Sequence, residues 1–142
     1  MMRWLLLVLA LVGLSASIAA LREHYNTGTS PCSINDVWDC GVVNHSAYSV
    51  FAGVPVAAIG IGGYALLAVL ALKKSWRLLL GAGLIGLVFS LYLTWIEARK
   101  LEVWCIYCVI SLSMISLISV AGLIQVLILW MKRSEQESQL RT

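Results

Sequence analysis

The sequence predicts an all-α integral membrane protein, a bundle of four transmembrane helices, and three observations carry that reading. Of 142 residues, 61% are hydrophobic and only 12% charged, more apolar surface than a soluble domain of this size hides. Four segments, Trp4–Leu21, Val54–Leu72, Leu78–Ile96 and Cys105–Met131, contain no charged side chain. Each has 18 residues or more, enough to cross a hydrocarbon layer of ~30 Å as a helix. Lipid cannot satisfy open backbone groups, so helices are the expected form. Finally, the basic residues segregate. Arg3, Lys73, Lys74, Arg77, Lys132, Arg133 and Arg141 fall on one side of the four spans, and Arg22, Arg99 and Lys100 on the other. Under the positive-inside rule this puts both termini in the cytoplasm. The whole chain, 1–142, reads as one membrane domain.

Taken in order, Met1–Ala20 has a basic start, a leucine-rich core and small residues at Ser17–Ala20, the marks of a signal peptide. Its apolar run is longer than most signal cores and three later spans follow, so it is read as a retained first helix, about 4–21. Residues 22–53 form the outer loop. Its Asn26-Thr27-Gly28-Thr29-Ser30-Pro31 stretch has turn composition. The mixed polar and apolar run Val42–Phe51 suits a short amphipathic half-helix on the membrane surface. Pro55 fits the first turn of the second span, 54–72.

Small residues recur in the second and third spans, at Ala58 and Gly62 and at Ala82, Gly86 and Ser90. Spacing of this kind lets helix backbones approach closely in lipid, and packing is the expected role. Trp95 and Trp104, at the outer ends of spans three (78–96) and four (105–131), read as interface anchors. Trp38 reads as an interface residue or a partner-docking residue. Glu97, Arg99, Lys100 and Glu102 read as a solvated turn, and the charged tail Lys132–Thr142 as disordered.

The predicted topology places all four cysteines, Cys32, Cys40, Cys105 and Cys108, on the outer, oxidising face, where disulfides outweigh metal sites. Cys105-Ile106-Tyr107-Cys108 opens the fourth span. Its two intervening residues permit an exchangeable disulfide, and unpaired N–H groups at a helix N-terminus favour a thiolate. Cys32 and Cys40 close a ring of moderate size if they pair. Zinc binding would need a second close pair or suitably placed histidines, and His24 and His45 follow no ligand pattern, so no metal is expected. The excess of positive charge follows the membrane and implies no nucleic acid.

The order Cys32-x7-Cys40-x5-Ser46, then Gly53-Val54-Pro55-x-Ala57-x2-Gly60-x2-Gly63-Tyr64, then Tyr92-Leu93-x-Trp95-Ile96 and Cys105-x-x-Cys108 resembles the vitamin K epoxide reductase family, its prokaryotic branch in particular. The resemblance runs from Trp4 to Met131 and implies a four-helix bundle around a quinone, ubiquinone or menaquinone, in a bacterial plasma membrane. It implies that Cys105 and Cys108 are the active-site pair, with Cys108 beside the quinone and Cys105 exchanging with the loop pair. Cys40 would then be the loop cysteine that meets Cys105, and Cys32 the one that meets an external thioredoxin-like protein. Ser46 would sit on the half-helix capping the quinone pocket. Many prokaryotic members carry a fused thioredoxin-like domain; here the expected partner is a separate extracytoplasmic protein.

Animal members have a tyrosine four residues after the second active-site cysteine. Leu112 stands there in this chain, so Asn44, Ser46 or Ser111 is expected to supply the polar contact to a quinone carbonyl. The implied activity is oxidation of the partner's dithiol with reduction of quinone, through Cys32/Cys40 and then Cys105/Cys108. The rival readings are a vitamin K epoxide or quinone reductase, against which Leu112 counts, and a non-catalytic membrane protein with structural disulfides.

Overall fold

A computed structural model describes residues 1–142. Five helices account for most of the chain: α1 (Met2–Tyr25), α2 (Cys40–His45), α3 (Val56–Leu72), α4 (Trp76–Ile96) and α5 (Ile106–Arg141). A two-stranded hairpin, β1 (Val50–Phe51) and β2 (Val54–Pro55), precedes α3. Three of the helices, α1, α4 with its following turn, and α5, are long and apolar enough to cross a membrane. The fourth, α3, has 17 residues, or about 26 Å at the helical rise of ~1.5 Å per residue. Large aliphatic side chains face outward along the helices, Ile85 at 74% and Val88 at 68% exposure among them, the surface expected of a protein solvated by lipid.

The bundle closes around Leu6, Ala10, Tyr64, Leu67, Ala71, Leu79, Ile115, Ile118 and Ala121. Helix α1 packs along both α3 and α5, and α4 packs along α5, whereas α3 and α4 touch sparingly. Glycines set the close crossings. A methyl group at Gly13 would run into the Tyr64 ring, one at Gly83 would lie 3.1 Å from Ser119 Oγ, and one at Gly122 3.0 Å from Leu79 Cδ2. The small residues of the second and third spans have a mixed role. Gly60 faces Ser17, where a methyl would lie 2.8 Å from its hydroxyl, but nothing lies within 4 Å of such a methyl at Gly62 or Gly63. Open space at Gly62, rather than helix contact, corrects the packing expectation for part of the stripe.

Four boundaries differ from the sequence reading for local reasons. Helix α1 continues through Arg22 and Glu23 to Tyr25, because nothing before Asn26 breaks it. The half-helix occupies Cys40–His45 rather than 42–51: the Asp39 carboxylate caps its start by accepting the Val42 N–H at 3.1 Å, and the Ser46 hydroxyl donates to the Val43 carbonyl at 2.8 Å at its end. The chain then turns through Ala52 (φ 52°) and Gly53 (φ 82°), two consecutive left-handed residues that make a tight hairpin between β1 and β2. The tail expected to be disordered is helical to Arg141. Residues 132–141 contain no Gly or Pro and are rich in helix formers, and the buried span supplies the costly first turn.

The stretch read as a solvated turn is also different. After Ile96, residues Glu97–Leu101 form a π-helical turn that ends at Glu102 in the left-handed conformation (φ 56°). Glu97 is 3% exposed, while Ala98, Arg99 and Lys100 face outward.

Candidate active site

All four cysteines converge at one end of the bundle, where α1 ends, α3 and α5 begin and α4 runs into its π turn. The loop after α1 is shaped by side chains that bond to nearby backbone. Asn35 Oδ1 accepts the N–H groups of Val37 and Trp38 at 2.9 and 3.0 Å, and Ser30 Oγ accepts that of Cys32 at 3.2 Å. The Ser33 hydroxyl donates to Asp39 Oδ1 at 2.7 Å. That bond and the Val42 N–H hold the Asp39 carboxyl below the usual carboxylate range.

Cys32 and Cys40 are joined in a disulfide with Cα atoms 5.4 Å apart, whereas Cys105 and Cys108 are free thiols. The ring between Cys32 and Cys40 does not hang free. The Trp104 N–H donates to the Val37 carbonyl at 2.7 Å and the Asp39 N–H donates to the Trp104 carbonyl at 3.0 Å. This parallel bridge between Trp38 and Trp104 fixes the residue before Cys40 to the residue before Cys105. Both Trp38 and Trp104 are therefore half-buried parts of a backbone clasp, and Trp95 alone of the three remains mostly exposed, at 54%.

The clasp produces a buried cluster of Cys32, Cys40, Val43 and Cys105, against which Tyr107 and Cys108 pack. Cys40 and Cys105 are wholly buried and Cys32 is 4% exposed. Asn44 sits between the pairs. Its Nδ2 donates to the Cys40 carbonyl at 2.9 Å and to Cys105 Sγ at 3.6 Å. On the other side, the Cys105 N–H donates to Glu97 Oε2 at 3.3 Å. The Cys105 thiol is held below the ordinary thiol range. A hydrogen bond from Cys108 to its sulfur does most of this, N–H groups at the start of α5 add to it, and burial and the Glu97 charge act against it.

Beyond this cluster lies a cavity of about 530 Å³ with mostly apolar walls, within the range of sites for drug-sized molecules. Cys108 lies in its wall, as do Asn44, Ser46 and Ser111. The four residues expected near a quinone from the sequence thus share one cavity, while Cys105, Cys32 and Cys40 are absent from its lining. Ser46 and Ser111 are already engaged. Ser46 bonds the Val43 carbonyl, and the Ser111 hydroxyl is 2.9 Å from that of Tyr64, which donates to the Ser111 carbonyl at 2.7 Å. Leu112 packs against the bundle core and does not line the cavity.

Three cavity residues escaped the sequence reading. Tyr64 lies within the Gly63-Tyr64 motif, to which the sequence reading gives no site role. His24 projects from the extended end of α1, its Nδ1 2.7 Å from the Asn44 carbonyl. Glu97 was assigned to solvent. Its signal lay in helical spacing: Ala82, Gly86, Ser90 and Leu93 all line the cavity, and Glu97 continues that face one turn further.

Long apolar helices, a disulfide and a dithiol in one buried cluster, and a cavity against the dithiol define a membrane thiol oxidoreductase. The chain belongs to the vitamin K epoxide reductase family, whose family model matches residues 4–123. No curated protein sequence matches the chain significantly.

Proposed function

We propose that this protein oxidises the dithiol of a separate thioredoxin-like protein outside the cytoplasm and passes the electrons to a membrane quinone. The reading takes residues 1–142 as one domain of four spans with both termini in the cytoplasm, in a bacterial plasma membrane. The observation that carries it is the junction of the two cysteine pairs: Cys40 and Cys105 are buried together, and Cys108 alone of the four lines the cavity. Thiol–disulfide exchange needs direct contact between sulfurs, so electrons cross such a junction only by hopping between neighbouring pairs.

In this reading the partner reduces the Cys32–Cys40 disulfide through Cys32. Cys40 then attacks a Cys105–Cys108 disulfide at Cys105, expelling the Cys108 thiolate, and Cys32 attacks Cys40 of the mixed disulfide, re-forming Cys32–Cys40 and releasing Cys105 as a thiolate. The Asn44 amide, aimed at Cys105 Sγ, stabilises that leaving group. A free dithiol at Cys105 and Cys108 beside an oxidised loop pair is the arrangement that this inward transfer leaves. The apolar cavity suits a quinone ring, with Cys108 at its wall and the Tyr64, Ser111 and Ser46 hydroxyls as polar groups. A bound quinone supplies a two-electron, two-proton acceptor.

Purified protein should oxidise a reduced thioredoxin-like protein in the presence of a quinone, and Cys108→Ala should abolish quinone reduction. Turnover unchanged by Cys108→Ala would overturn the proposal.

A further inference from the structure

We propose that Glu97 is the proton-accepting residue of the dithiol, taking the Cys108 thiol proton as the pair is oxidised. This deepens the functional reading above and rests on it. The side chain is 3% exposed and lines the cavity at the dithiol's end. Its Oε2 accepts the Cys105 N–H at 3.3 Å, and the carboxyl shares the cavity wall with the Cys108 thiol. No basic side chain acts on it. A buried carboxyl without a cation is costly, and one placed solely to support a backbone N–H could be replaced by an amide.

The titratable groups facing Glu97 are the Cys105 and Cys108 thiols. Arg99, Lys100 and Glu102 near it on its own segment are exposed, and His24 and Tyr107 line the same cavity from α1 and α5.

Oxidation of the pair forms the Cys105–Cys108 S–S bond and releases two electrons and two thiol protons, all of which the quinone takes to become quinol. Glu97 holds the Cys108 proton at its carboxylate as the sulfur becomes a thiolate, gives it up to the acceptor's oxygen, and ends the cycle ionised. The Cys105 proton is the second of the two.

Glu97→Gln separates the proton role from the structural one, because the amide oxygen still accepts the Cys105 N–H. It should lower quinone reduction by about 100-fold at neutral pH, with the rate recovering as pH rises, and Glu97→Asp should restore part of the loss. A second readout needs no quinone: the pH dependence of Cys105 alkylation in a Cys108→Ser background. The Glu97 charge opposes Cys105 ionisation, so Glu97→Gln should move that midpoint to lower pH. Turnover within twofold of wild type, or a loss of turnover with the midpoint unmoved, overturns the proposal. If the wild-type protein reduces no quinone, the functional reading fails instead, and the midpoint alone decides whether Glu97 is coupled to the thiols.

Discussion

Replacing Asn44 with Ala removes the only side-chain amide directed at the Cys105 sulfur, and its effect follows from the geometry. The Nδ2 donor lies 3.6 Å from Cys105 Sγ, and both residues are buried. Hydrogen bonds to charged groups contribute ~1.5–3 kcal/mol, and a long bond to sulfur belongs at the lower end. At ~1.4 kcal/mol per pH unit, the Cys105 ionisation midpoint should rise by about one unit. On the acid side of the midpoint the thiolate population then falls ~10-fold, while the more basic sulfur regains ~3-fold in nucleophilicity, leaving attack by Cys105 about 3-fold slower. As a leaving group from the mixed disulfide, Cys105 slows in the same direction.

The assay is iodoacetamide modification of Cys105 against pH in a Cys108→Ser background. Mass spectrometry of the 105–108 peptide reads the modified fraction. Asn44→Ala should shift the midpoint up and Glu97→Gln should shift it down, so the two variants move one observable in opposite directions. An Asn44→Ala midpoint displaced by less than about a third of a unit, with Cys32–Cys40 intact, would refute an electrostatic role for the amide.

Two further outcomes test the framework. Gly13→Ala pushes a methyl into the Tyr64 ring; over-packing of this kind costs ~1–3 kcal/mol, and the thermal midpoint in detergent should fall while Gly62→Ala, which meets nothing within 4 Å, leaves it unchanged. Trp104→Pro removes the N–H that donates to the Val37 carbonyl at 2.7 Å. Losing a bond of ~0.5–1.5 kcal/mol should open the clasp and speed reduction of Cys32–Cys40 by a small dithiol about 2- to 12-fold. Trp104→Phe keeps the backbone bond and should match wild type; equal acceleration in both would place the effect in the indole and not in the clasp.

Much of this protein is legible in the chain because lipid imposes a strict rule. Every backbone group must be bonded within a helix, so charge-free runs alone mark where the long helices lie. The family likewise follows from cysteine spacing and the motif around Gly53-Val54-Pro55. Local signals misled where a neighbouring element overrode them. Lys132–Arg141 reads as a charged tail but continues a helix already nucleated by its buried half. Val50–Pro55 reads as helix and span, yet two left-handed residues make it a hairpin.

The sequence by itself determined the class of protein, the helices and the four thiols, since composition and spacing are one-dimensional properties that each segment carries alone. Only the tertiary structure decided which groups meet those thiols. The Trp104 clasp and the Asn44 amide on Cys105 join residues distant in the chain, and the buried Glu97 meets the Cys105 N–H across the π turn. Glu97 shows the physical reason most clearly. A glutamate at the end of an apolar run ordinarily reaches water at low cost. Here it continues the cavity-lining face of α4 to the end of the helix beside the dithiol, where its charge is costly to bury.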